Sequence, residues 1–172
     1  MGTPVLLNLG FRPFFTGAAI FSLLSTLLRL CIYVLGWHWQ PGSLPAVSRH
    51  AQEMIFGYAM AVIAGFLLTA VKNWTGVQTL YGVPLLLLLL LWLAARGLLL
   101  FPGAGMLLWA AVADLLFNLG LLLALACPVF RVRQFKQIGI LSKVLLLMLA
   151  NLLFYAGVLA PYPWGVQAGL YS

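Results

Sequence analysis

The sequence predicts an all-α, polytopic transmembrane helix bundle of about five membrane helices with a cytoplasmic N-terminus. Three observations predict it. First, 65% of the 172 residues are hydrophobic and only 6% are charged, against about 45–50% and about 25% in soluble domains. Second, the apolar residues fall in runs near the ~20 needed to cross a bilayer as a helix. Third, the basic residues gather in connections that alternate along the chain, which is how membrane proteins fix their orientation. Long leucine-rich runs, rather than short alternating segments, exclude an outer-membrane barrel.

The spans are read at about 13–36, 51–71, 82–101, 105–126 and 141–160, forming one membrane domain over 1–172. Pro13 suits a first helical turn, where its missing N–H costs nothing. The first span ends before "QPGSLP" (40–45), the second at "NWTG" (73–76) and the third at "FPGAG" (101–105). Pro128 is expected to follow the fourth span, and "PYPWG" (161–165) to follow the fifth. The run "LLLLLLLW" (85–92) is low in complexity but a good helix in lipid. The first span is too long for a signal-peptide core, and no cleavage site follows it.

Arg131, Arg133, Lys136 and Lys143 place the connection before the fifth span in the cytoplasm. Counting back, Arg12 and Lys72 fall on the same side, and Arg49 on the other. His38, between Trp37 and Trp39, then joins Tyr162 and Trp164 in an outer aromatic belt. The net charge of +7 is therefore topological and does not indicate nucleic-acid binding. Cys31 and Cys127 fall near opposite membrane faces and are not expected to meet.

Arg29, Glu53, Arg96 and Asp114 lie inside the apolar spans, each at a cost of roughly 2.5–3.5 kcal/mol if unpaired at mid-helix. A rise of ~1.5 Å per residue puts all four in the outer half of the bilayer, on four different helices. Two positives and two negatives balance, so the expectation is a mutually compensating intramembrane cluster. The alternative has the arginines snorkelling to headgroups and the acids paired locally. In the second span, Gly57, Ala61 and Gly65 recur every four residues, a stripe that lets another helix approach closely. Helical spacing puts His50, Glu53, Met54 and Gly57 on nearly the same side, facing protein. His50 is the candidate metal ligand, with Glu53 and Met54 around it. No phosphate-binding glycine loop, paired-cysteine motif or nucleophile elbow is present.

"LGFRPFF" (9–15), "HAQEM" (50–54), "VIAGFLLTAVKNWTG" (62–76) and "MLANLLF" (148–154) together resemble the NnrS family. These are bacterial membrane proteins linked to nitric oxide metabolism and described as carrying haem and copper. The resemblance implies an inner-membrane, multi-pass protein of the nitrosative-stress response, with haem or copper held at His50 and Arg29 or Arg96 as counter-charge. It assigns no turnover chemistry. The chain departs from the family pattern at two places: Gln52 and Tyr155 stand where family members carry histidine. The family is also longer, so the chain resembles an N-terminal half that would meet a second membrane half or another copy of itself. The alternative reading is a metal-free partner subunit that packs through the Gly57/Ala61/Gly65 face.

Overall fold

In a hydrocarbon solvent every backbone amide must be satisfied within its own segment, which leaves the helix as the local solution for these apolar runs. The computed structural model describes residues 10–36, 44 and 46–159. They form α1 (Phe11–Tyr33), α2 (Ala46–Gln52), a π-helical segment (Glu53–Ala59), α3 (Met60–Thr75), α4 (Gly82–Leu98), α5 (Ala104–Arg131), a 3-10 turn (Phe135–Gln137) and α6 (Ile138–Leu159). There is no strand among the described residues. Because α2, the π segment and α3 run on without a break, the described residues form five rods.

Four rods are long and apolar enough to cross a membrane: Phe11–Tyr33, Val47–Thr75, Ala104–Arg131 and Phe135–Leu159. The fifth, Gly82–Leu98, is apolar but only 17 residues long, the lower end of the spanning range. Its expected last residues instead form a tight turn, with Leu100 N–H donating to Gly97 O and Phe101 N–H to Leu98 O.

The other boundaries also shift for physical reasons. The second rod begins at Ala46, so the polar stretch before position 51 is helical. Its expected end at position 71 moves to Thr75, where Gly76 adopts φ +69° and its N–H caps Lys72 O at 2.9 Å; a left-handed glycine is a standard helix stop. Pro128 does not follow α5 but lies inside it. The missing donor is tolerated because Leu125 and Val129, both fully buried, hold the last turns against the bundle. "PYPWG", the aromatic residues of the outer belt and His38 lie outside the described residues.

α1 packs on α3, α4 on α5, α5 on α6, and α3 on α5. The small-residue stripe is what lets α1 close on α3. A Cβ on Gly65 would sit 2.8 Å from Phe15 and 3.1 Å from Phe14, and one on Gly57 would sit 3.0 Å from Phe21. Ala61 between them is fully buried. The stripe is thus filled by the chain's own first helix.

Aromatic pairs knit the core: Phe14 with Phe117, Phe21 with Trp92, and Phe56 with Phe154. Meanwhile Leu23, Leu24, Leu87, Trp109 and Leu146 are exposed, and Gln52, Asp114, Asn118 and Asn151 are buried. Apolar outside and polar inside is the arrangement of a multi-pass membrane protein.

Candidate functional site

A buried polar network draws a side chain from every rod. The second rod supplies Gln52 and Glu53, α1 supplies Ser25 and Arg29, α4 supplies Arg96, α5 supplies Asp114, and α6 supplies Asn151 and Tyr155.

Gln52 and Glu53, adjacent in sequence, point about 100° apart around a helix and so serve two different groups. Toward α1, Glu53 Oε2 accepts from Ser25 Oγ and Arg29 Nη2, each at 3.0 Å. Toward the other three rods, Gln52 Oε1 accepts from Arg96 Nη1 at 3.1 Å. Its Nε2 donates to Tyr155 Oη at 3.0 Å and Asp114 Oδ2 at 3.3 Å. The same carboxylate oxygen accepts from Asn151 Nδ2 and Tyr155 Oη, each at 3.1 Å, and forms an ion pair with Arg96 Nη2. The structure therefore gathers Arg29, Glu53, Arg96 and Asp114 as two separate ion pairs, with Gln52 and Glu53 as the link between them.

The π segment starts at Glu53, beside the network. Such segments are rare and recur at functional sites. Within this segment Gly57 O accepts from Trp92 Nε1 on α4 at 3.0 Å, as well as from the Met60 N–H. Trp92 is fully buried, so this bond fixes α4, and with it Arg96 one turn further on.

His50 takes no part. It is exposed, in contrast to the protein-facing position that helical spacing predicts for it. The network approaches the second rod from the side of Gln52, and position 50 lies about 200° around the helix from position 52. Met54 is half-buried, and Arg49 donates to Leu44 O at 3.3 Å. Cys31 and Cys127 are free thiols.

Reasoning from the sequence missed Asn151 and Ser25 as members of the site, and marked Gln52 and Tyr155 only as places where the resemblance leads one to expect histidine. The available signal was the presence of polar side chains within otherwise apolar runs. Asn118, one turn from Asp114 on α5, belongs to the same pattern: it is buried, and its amide has no side-chain or backbone partner.

Gln52 and Tyr155, 103 residues apart in sequence, are hydrogen-bonded to each other and belong to one site. The donor set there does not fit haem or copper. It offers a carboxamide, a carboxylate and a phenol, whereas copper and most haem sites take imidazole or sulfur, and the one group here that can ligate ferric haem, the Tyr155 phenol, is engaged by Gln52 and Asp114. A buried guanidinium shares the carboxylate, and Gln52 and Tyr155 are hydrogen-bonded to each other with essentially no exposure. Among the described residues no three His, Cys, Asp or Glu side chains form a metal-binding group. What the arrangement can do is share protons: the Tyr155 hydroxyl donates to a carboxylate on which Gln52, Asn151 and Arg96 also converge.

No curated protein and no solved structure matches this sequence. The family of NnrS proteins does, over residues 5–172. The match covers nearly the whole chain, and the chain belongs to the NnrS family.

Proposed function

We propose that this chain is a bacterial inner-membrane protein of the nitric oxide and nitrosative-stress response that works without haem or copper of its own. The nitric oxide assignment rests on family membership. The metal-free reading rests on one observation: the paired positions Gln52 and Tyr155 form a closed hydrogen-bonded contact around Asp114 and Arg96. The buried network takes the place of a metal centre and holds five rods in one arrangement.

Two experiments test the two parts. A strain lacking the gene should grow poorly under a nitric oxide donor, and the wild-type gene should restore growth; equal growth of deleted and intact strains would sink the physiological assignment. For the cofactor, detergent-purified wild type and His50→Ala should both show little Soret absorbance and substoichiometric copper. The double change Gln52→His with Tyr155→His puts two imidazoles beside Asp114 and should gain metal. Stoichiometric haem in the wild type, lost in His50→Ala, would refute the metal-free reading.

A further inference from the structure

We propose that the basic end of the bundle carries a binding site for an anionic phospholipid, seated in the groove between α1 and α3. The groove has a volume of ≈ 420 Å³, within the ~300–1,000 Å³ typical of small-molecule sites. Its walls are apolar and aromatic: Phe11 and Phe15 from α1, and Phe66 and Trp74 from the second rod, with Thr69 and Asn73 as the polar groups. Phe11, Phe15 and Phe66 are exposed side chains in a membrane-spanning surface, so lipid is the medium that reaches them. An acyl chain matches the aromatic walls, and a headgroup matches the polar mouth.

Charge makes the headgroup anionic. Lys72 lies one position from Asn73 and three from Thr69, on the flank of the groove. Arg12 stacks over the ring of Phe11 at 5.9 Å. A third element is brought to the same place by one contact: Gln134 Nε2 donates to Trp74 O at 2.6 Å. This bond pins the α5–α6 connection, with Arg131 and Arg133 on it, against the end of α3.

The chain has only two Asp and Glu residues in all. Both are committed to Arg29 and Arg96 in the network around Gln52 and Glu53. Asn73 is twenty residues further along the same rod, about 30 Å away. Lys72, Arg131 and Arg133, far from both side-chain carboxylates and carried by elements that meet at the Trp74 end of an apolar groove, supply the chemistry of a phospholipid phosphate site.

The test reads Trp74, which lines the groove. The full chain is reconstituted in phosphatidylcholine bilayers carrying brominated phosphatidylglycerol or brominated phosphatidylcholine at matched mole fractions. Subtracting the quenching of Trp74→Phe isolates the Trp74 signal. Half-quenching by the brominated phosphatidylglycerol is expected at a mole fraction at least about fivefold lower, since each cation near a membrane surface contributes about that factor. The double change Lys72→Gln with Arg133→Gln should bring the two lipids to near parity, and Lys72→Arg with Arg133→Lys should keep the preference. Parity in the wild type, or an unchanged preference in the double Gln variant, would overturn the proposal. So would loss of the preference in the charge-preserving variant. If inorganic phosphate removes the preference where chloride of equal ionic strength does not, the site takes free phosphate and the lipid assignment falls.

Discussion

Four side chains converge on Asp114: Gln52, Asn151 and Tyr155 by hydrogen bonds and Arg96 by an ion pair. Removing one partner of a buried ion pair strands the other, at a cost of about 3–5 kcal/mol. Asp114→Ala should therefore lower the unfolding midpoint in detergent sharply, and more than Arg29→Ala does. The Arg29 side chain is 23% exposed, so its loss should fall nearer the ~1.5–3 kcal/mol of a charged hydrogen bond. Equal midpoints for the two variants would show that the network is not centred on Asp114. At this scale the charges were legible and their partners were not. Two acids and two arginines inside apolar runs have to be paired, and the sequence reveals that much. Which acid meets which arginine depends on helix rotation, which depends on residues far away in sequence. Gln52 shows the limit most clearly. As a departure from a family motif it reads as a lost ligand, yet in the fold it bridges three other rods.

At the scale of the element, the stripe on the second rod was legible because small residues every four positions have one strong use in lipid, close helix approach. The consequence can be measured. A Cβ at Gly65 meets Phe15 at 2.8 Å and Phe14 at 3.1 Å, so Gly65→Ala should destabilise by about 1–3 kcal/mol through overpacking. Gly97 in α4 has nothing within 4 Å of the same atom, and Gly97→Ala should be neutral or gain up to about 1 kcal/mol of helix propensity. Thermal unfolding of the two variants side by side checks the contrast, and similar losses would mean that α1 does not sit on the stripe. α4 itself was legible as a helix but not as an oriented one. Its leucine run has no polar marker of a face, and the inward set Leu85, Leu88, Trp92 and Arg96 is fixed by what Trp92 and Arg96 bond to. The π segment was illegible for a related reason: the residues Glu53–Ala59 suit an α-helix equally well, and the contacts that single this stretch out, such as Trp92 Nε1 on Gly57 O, come from another rod.

The whole molecule is a set of antiparallel rods with its charge divided between two ends. Arg12 at the start of α1, Lys72 at the end of α3, Arg131 at the end of α5 and Lys136 before α6 share one end, as the alternation of the rods requires. Arg49 near the start of α2 belongs to the other. Arg29 and Arg96 are also nearer that second end, but each is paired with a carboxylate and contributes no net charge to it. The asymmetry in net charge between the two ends is therefore larger than a count of basic residues suggests. Cations near helix ends set orientation because they resist translocation. The basic end should then be cytoplasmic. Reporters inserted after Gly103, in the α4–α5 connection, and after Gln134, in the α5–α6 connection, should read periplasmic and cytoplasmic respectively. Replacing Arg131, Arg133 and Lys136 together by Gln should weaken that bias and give mixed reporter signals, whereas Arg96→Gln with Asp114→Asn, which leaves the net-charge difference unchanged, should not. A cytoplasmic reading after Gly103 in the wild type would invert the bundle, and with it the leaflet from which the groove between α1 and α3 draws its lipid.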